Sequence, residues 1–142
     1  MQQFKNILVG VDDSADALKA FDYAIGFAKE QDATLNIISV LEEHDINVYE
    51  SLNKDFIHGK RQDLVEHLKE YQQKALQAGV NQVNTVVAQG NPGETIVKEV
   101  IPKLKPDLLI IGSLAKKGLA RHMGSQAAYM AKYAPISVWV IR

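Results

Sequence analysis

The fold is decided first by residues 5–14, which read KNILVGVDDS. Residues 5–11 form a short, largely apolar run without polar alternation, and two aspartates and a serine end it. A run of this kind is typical of a strand that is buried on both faces, as strands are in a parallel sheet. Either Asp13 or Ser14 can cap the helix that follows, because both side chains accept hydrogen bonds from backbone N–H groups.

The remainder of the chain repeats this alternation of apolar runs and helical periods. The first helix is predicted over residues 15–29, where Leu18, Phe21 and Ile25 begin one stripe. Further strands are predicted at residues 34–41, 82–88, 107–111 and 136–141, and further helices at residues 62–78, 92–104 and 124–133. Residues 42–60 are mainly polar and indicate only a loop and the start of a helix. The alternation predicts a doubly wound α/β fold, a five-stranded parallel sheet with helices on both faces.

Length, composition and charge limit the classes of function. One domain, residues 1–142, is expected, since roughly 150 residues make a domain. Sixteen Lys and Arg against 17 Asp and Glu give a net charge of −1, which favours neither nucleic acid nor a membrane surface as a partner. The absence of cysteine excludes disulfides and thiolate zinc sites. No apolar run approaches the length of about 18 residues needed to span a membrane, so a soluble, cytoplasmic protein is expected.

Three segments follow predicted strands at the sheet edge where doubly wound proteins bind ligands. They cover residues 10–14, 40–42 and 112–125. The last segment reads GSLAKKGLARHMGS, so that Gly112 closes a strand, and Gly124 and Ser125 open a helix. Three cations and one histidine lie between them: Lys116, Lys117, Arg121 and His122. A helix N-terminus with nearby glycines suits a phosphate, but the same residues fit a solvated basic loop, and the spacing alone leaves both interpretations open.

The adjacent acids Asp12 and Asp13 form a second candidate site. Acids after a first strand can bind a divalent ion or accept a hydrogen bond from a ribose hydroxyl. They equally fit a helix-capping acid beside a surface acid. A response-regulator receiver domain is excluded, because the third strand ends at Gln89 instead of an aspartate and only Arg142 follows the last strand.

Motifs of the common nucleotide and hydrolase sites are absent from the sequence. No GxGxxG follows the first strand, and neither a Walker motif nor HExxH occurs. Ser14, Ser113 and Ser125 have no base nearby in sequence, which leaves a hydrolase triad without support. A binding module is therefore favoured over an enzyme, although slow ATP hydrolysis stays open.

Four segments, in order and correctly spaced, resemble the universal stress protein A family over essentially the whole chain. They are residues 5–14, residues 90–92 with Ile96, residues 106–113, and Ser125 and Ala128 with residues 134–140. The resemblance implies a flavodoxin-like sheet with strand order 3-2-1-4-5 and a homodimer. In many members it also implies ATP or another adenine nucleotide, with or without Mg²⁺, in the crevice.

The resemblance also assigns site residues. It implies that Gly10 and Asp12 approach the adenosine and that Val40 borders the adenine. The residues implied to cradle the phosphates are Gly112, Gly124 and Ser125.

The loop departs from the pattern Gly-x2-Gly-x9-Gly-[Ser/Thr] of the nucleotide-binding branch. Ala115 stands in place of the second glycine, and the stretch from Gly112 to Gly124 is one residue short. This loop length is similar to that of the branch thought not to hold ATP. Two hypotheses follow: a stress-response module that binds an adenine nucleotide, and a dimeric stress protein that acts through protein contacts alone.

The residues of the last strand predict that it forms a dimer interface. Residues 136–141 carry no charge and no internal proline, and they are expected at an edge of the sheet. Ile136, Val138 and Val140 would point to one face, and the residues between them to the other. An open apolar edge is an aggregation hazard, which pairing with a second copy about a two-fold axis removes. The alternative is that the chain's own loop or helices cover this edge.

Overall fold

The computed structural model describes residues 3–42, 54–113 and 124–142, in which strands and helices alternate. The strands are β1 (Asn6–Gly10), β2 (Thr34–Leu41), β3 (Val83–Gln89), β4 (Leu108–Gly112) and β5 (Ser137–Ile141). The helices are α1 (Ala15–Gln31), α2 (Lys54–Ala78), α3 (residues 92–104) and α4 (Ser125–Tyr133). All strand pairs are parallel, and the order is β3-β2-β1-β4-β5. The predicted fold class and strand order are confirmed.

The sheet separates two apolar clusters, so that each strand buries side chains on both faces. Ile7 and Val9 belong to the cluster beneath α1 and α2, whereas Leu8, Ile38 and Leu109 belong to the cluster beneath α3 and α4. None of these five side chains is more than 1% exposed. Burying each stabilises the fold by about 1.5–3 kcal/mol, which explains the continuous apolar runs. Within the described ranges, no helix combines the length and apolar character that a membrane crossing requires.

Helix α1 packs on the sheet mainly through small side chains. Ala17, Ala20 and Ala24 are buried together with Phe21, whereas Leu18 is 43% exposed. The predicted stripe is therefore wrong at Leu18. The alanines bring the helix backbone close to the strands, and this turns the bulkier Leu18 towards solvent. Ser14 caps the helix, since its Oγ accepts from the N–H of Ala17 at 3.2 Å.

Helix α3 contains an irregular turn at its centre. Residues Ile96–Val100 are π-helical and are flanked by α-helical turns, and the N–H of Ile101 bonds to the carbonyl of Ile96 five residues earlier. Pro102 accounts for this turn, because it has no N–H and its ring would clash with the carbonyl four residues before it in a regular helix. The predicted helix is present, with its geometry adjusted to the proline.

A chain of asparagine side chains, centred on the buried Asn36, crosses three strands. Asn36 is 3% exposed and donates to the side-chain oxygen of Asn6 at 2.6 Å and to the carbonyl of Ile7 at 3.1 Å. Its own side-chain oxygen accepts from Asn84 at 3.1 Å, and Asn6 donates to the carbonyl of Leu104 at the end of α3. These bonds satisfy a polar side chain that would otherwise be unfavourable inside the sheet.

The outer edge of β3 is covered by side chains of α2. Gln72 Nε2 donates to the carbonyl of Val83 at 2.8 Å, and Arg61 Nη2 donates to the carbonyl of Val87 at 2.9 Å. These two carbonyls point away from the sheet. Their hydrogen bonds occupy two of the acceptors that another strand would need at this edge.

The outer edge of β5 is different. The carbonyl of Ile141 accepts from the N–H of Ser113, so the backbone groups of Ile141 face β4. Backbone groups point to opposite sides of a strand at alternate residues, and those of Val138 and Val140 therefore face outwards. No side chain of the described residues bonds to these outward groups. Trp139 packs in the cluster beneath α1 and Val138 in the cluster beneath α3, as predicted from the alternation. Val140 is 39% exposed.

Candidate functional site

A cleft of about 400 Å³ opens at the carboxyl edge of the sheet, where β1 lies between β2 and β4. Its volume lies within the range of about 300–1,000 Å³ that is usual for small-molecule sites. The cleft is lined by six of the seven residues that the sequence predicted for the site: Gly10, Asp12, Val40, Gly112, Gly124 and Ser125. Ala115, the seventh, lies outside the described residues, as do Lys116, Lys117, Arg121 and His122. The structure therefore brings the described members together, and their roles stay predictions.

The floor of the cleft is apolar, and Gly10 leaves a gap in it. Ile38 and Val40 contribute side chains from the end of β2, and Ile111 contributes one from the end of β4. A Cβ on Gly10 would lie 3.7 Å from Ile111 Cγ2, which is ordinary van der Waals contact. Because the fold has room for a side chain at this position, the glycine is explained better by the space that it leaves in the cleft.

Gly112 lacks a side chain for a different reason. A Cβ there would lie 2.7 Å from the backbone nitrogen of Ala17 and from the carbonyl carbon of Asp16. The glycine thus allows the first turn of α1 to approach the end of β4. Ser113 fixes the same junction, since its buried hydroxyl donates to Asp16 Oδ2 at 2.6 Å. The backbone of Gly112 still borders the cleft, but packing alone accounts for the residue type.

The two adjacent acids point to different parts of the molecule. Asp12 lines the cleft, and its Oδ1 accepts from the N–H of Ser14 at 3.0 Å. Asp13 Oδ1 lies 2.5 Å from Tyr71 Oη and 2.7 Å from His67 Nε2, both on α2. The acids therefore do not converge on one chelating position. Elsewhere too, the described ranges contain no group of three or more His, Asp or Glu side chains arranged to hold a metal ion.

Helix α4 begins at the cleft with backbone donors that have no acceptor among the described residues. Gly124 precedes it with φ of +89° and provides no side-chain cap, and Ser125, Gln126 and Ala127 line the cleft. The backbone N–H groups of these three residues have no acceptor among the described residues. Unpaired N–H groups and the positive end of the helix dipole favour an anion at this position.

Helix α3 also begins at the cleft, but its donors are occupied. Asn91 Oδ1 accepts from the N–H of Glu94 at 3.4 Å, and Gln126 Oε1 accepts from the N–H of Gly93 at 2.8 Å. Pro92 has no N–H to offer. An anion in the cleft is therefore favoured at α4 and not at α3.

Sequence reasoning missed several lining residues, among them Asn91, Ile96, Gln126 and Met130. The turn before α3 follows β3, and the strand order places that strand end at the same edge of the sheet. Its participation could have been predicted from this topology. No sequence signal marks Gln126 or Met130, because their positions depend on how α4 crosses the sheet.

These features define a doubly wound α/β protein with a ligand cleft at the carboxyl edge of its sheet. A family model described as the universal stress protein family matches residues 3–142. The chain belongs to the universal stress protein family.

Individual relatives agree with this assignment. A protein of Staphylococcus haemolyticus, named as a universal stress protein, is 34% identical over 143 residues, covering 100% of this chain and 87% of the relative. The structure of universal stress protein UspA from Lactobacillus plantarum has a TM-score of 0.86 and 24% identity, with 100% of both chains covered. A universal stress protein solved in complex with cAMP has a TM-score of 0.73 and 23% identity, covering 99% of this chain and 98% of that one. None of these names states an enzymatic activity.

Proposed function

We propose that this protein is a cytoplasmic stress-response module that binds ATP or a related adenine nucleotide in the cleft and acts as a dimer. The observation that carries the nucleotide proposal is the start of α4. Three backbone N–H groups there have no acceptor in the described chain, and they open into a cleft with an apolar floor. A nucleotide has both matching parts, an anionic phosphate and a largely apolar base.

The described residues fit the two ends of such a ligand. The base and ribose would lie over Gly10 and Val40, where the floor is apolar, and the Asp12 carboxylate would accept from a ribose hydroxyl. The phosphates would lie at Gly124 and Ser125. The family member solved with cAMP supports an adenine nucleotide as the class of ligand. Mg²⁺ would be held mainly by the phosphates, as it often is in nucleotide sites.

The alternative is a dimeric stress protein without a nucleotide. It is favoured by Ala115 and by the loop that is one residue shorter than in the nucleotide-binding branch. In that case the protein would act through contacts with another protein, and the cleft would have no nucleotide function.

Thermal unfolding with ATP and with adenosine separates the two functions. A ligand at 100 times its dissociation constant stabilises the native state by about 2.7 kcal/mol, which is a large shift in Tm. Asp12→Ala should weaken binding of both ligands, whereas Ser125→Ala should weaken ATP more than adenosine. Asp63→Ala, an exposed acid on α2, is the matched control. If neither ligand stabilises the natural protein, the alternative function stands.

The dimer proposal is supported by the contrast between the two edges of the sheet. Arg61 and Gln72 occupy two outward carbonyls of the β3 edge. On β5, Val138 and Val140 present outward backbone groups without a side-chain partner in the described chain. Pairing of β5 with its copy about a two-fold axis would satisfy these groups.

A proline on each edge tests this interface by light scattering. Val138→Pro removes an outward N–H of β5 and leaves the ladder to β4 intact, so it should produce a folded monomer. Thr85→Pro is the control, because the backbone N–H of Thr85 faces outwards on β3, as the backbone groups of Val83 and Val87 do. This variant should leave the dimer unchanged. A monomeric natural protein at micromolar concentration, or a dimeric Val138→Pro variant, would refute the interface.

A further inference from the structure

The turn between β1 and α1 has an unusual backbone conformation at Asp13. Its φ is +66°, in the left-handed region that non-glycine residues rarely adopt. Aspartate tolerates this region better than most residues, but it persists there only when surrounding contacts hold it. The contacts of the Asp13 side chain therefore bear on the shape of the turn.

Two side chains of α2 hold the Asp13 carboxylate. Tyr71 Oη and His67 Nε2 lie 2.5 Å and 2.7 Å from the same oxygen, Oδ1. They are one helical turn apart, and their rings meet edge to face with centroids 5.2 Å apart. Tyr71 is 8% exposed and packs edge-on against Phe21 of α1, with centroids 4.9 Å apart. The anchor of the turn is thus rooted in the core between α1 and α2.

The phenol is a dependable donor. Burial, and then the hydrogen bond to Asp13, raises the pKa of Tyr71 above its ordinary value of 10.0. The hydroxyl therefore keeps its proton, and its bond to a carboxylate is of the strong, charge-assisted kind. The contribution of His67 is smaller in comparison, because its side chain is 42% exposed and solvent competes for its hydrogen bond to Asp13. Glu70 on the same helix lies 3.7 Å from His67 Nδ1.

The anchored turn borders the nucleotide cleft. Asp12, directly before Asp13, lines that cleft and holds the N–H of Ser14. Asp12 also lines a second cavity of about 60 Å³, together with Asp13 and His67. A rotation of the peptide between the two acids would move the Asp12 carboxylate relative to the cleft.

We propose that Tyr71 and His67 are positioning residues for the nucleotide site: they hold the Asp13 carboxylate, which keeps the turn left-handed and places Asp12 for the ribose. The inference rests on the proposed nucleotide binding. Neither positioning residue contacts the ligand, and both act on its adenosine end. Replacing either residue should therefore weaken the binding of ATP and of adenosine by the same factor.

The test is calorimetric titration with adenosine and with ATP. Tyr71→Phe and Asp13→Ala should each weaken both ligands about tenfold. Asp13→Gly, which adopts the turn without an anchor, should bind several-fold better than Asp13→Ala. Adding Tyr71→Phe to Asp13→Gly should cause no further loss, whereas a merely structural role of Tyr71 would lower affinity in both backgrounds. Tyr23→Phe, at an exposed tyrosine of α1, is the matched control and should bind as the natural protein does.

The outcomes separate this inference from the proposed function. If the natural protein binds neither ligand, both proposals fail. If it binds and Tyr71→Phe retains the natural affinity, the positioning role alone is refuted. Equal losses from Tyr71→Phe in the natural and Asp13→Gly backgrounds refute it as well.

Discussion

Alanine at two cleft glycines should change stability in opposite directions. A Cβ on Gly112 would lie 2.7 Å from backbone atoms of Asp16 and Ala17, about 0.7 Å closer than the 3.4 Å at which ordinary contact begins. No side-chain rotation can relieve this contact, so the first turn of α1 must shift away from β4. Overpacking of this kind costs about 1–3 kcal/mol. For a chain of this size the Tm should fall by roughly 3–10 °C.

Gly10→Ala is the matched substitution on the neighbouring strand. Its Cβ would have ordinary contact with Ile111 Cγ2 at 3.7 Å, and the backbone is not left-handed. Alanine there should stabilise the protein by about 0.4–1 kcal/mol, because it reduces the freedom of the unfolded chain. The same methyl group enters the cleft, so we expect Gly10→Ala to bind adenosine more weakly than the natural protein.

Urea unfolding of both variants at one protein concentration measures the two changes. The reasoning requires a loss of stability for Gly112→Ala and none for Gly10→Ala. A Gly112→Ala variant as stable as the natural protein would show that β4 and α1 are not held as closely as the structure places them. Equal losses at the two positions would show that the loss comes from any added methyl group at this sheet edge.

Four further outcomes are expected. The raised pKa of Tyr71 implies a contribution to stability that is complete below about pH 10 and is lost as the pH rises further. Tyr71→Phe should therefore reduce the fall in the free energy of unfolding between about pH 9 and about pH 11, as measured with urea. Asn36→Ala should lower the free energy of unfolding by about 1–3 kcal/mol, since it removes a buried hydrogen bond to the carbonyl of Ile7; an unchanged urea midpoint would contradict this. Gly124→Ala should destabilise the protein by about 1 kcal/mol in the same assay, because φ is +89° although the space is open. Ala115→Gly with one residue inserted before Gly124 should bind ATP more tightly in calorimetry, and no gain would show that loop length does not limit binding.

The fold was predictable because each strand of the sheet is buried on both faces. Leu8 and Val9 are adjacent, yet both are fully buried on opposite sides, and this requires a continuous apolar run that is visible in the sequence. The orientation of α1 was harder to predict. Hydrophobic periodicity alone favoured Leu18, whereas the helix packs through Ala17 and Ala20, whose small size allows close approach. Hydrophobic periodicity carries no information about the distance between a helix and the sheet on which it packs.

The candidate site was predictable only as far as topology places it. The strand order brings the end of β1 and the start of α4 to one sheet edge. Gly10 and Asp12 lie at the first and Ser125 at the second, so their proximity was predictable. What each residue does locally depends on neighbours distant in sequence. Asp13 is an example, since its partner Tyr71 lies 58 positions away and no local pattern joins them.

The unequal edges of the sheet bear on how large an assembly can become. If two copies joined through β5, the product would be one continuous ten-stranded sheet with a β3 strand at each end. Arg61 and Gln72 of each copy already occupy outward carbonyls of those strands. These side chains would hinder the addition of a third copy at either end of the sheet, which favours an assembly of two. A protein with this arrangement could reach high concentration in a cell while its sheet stays finite.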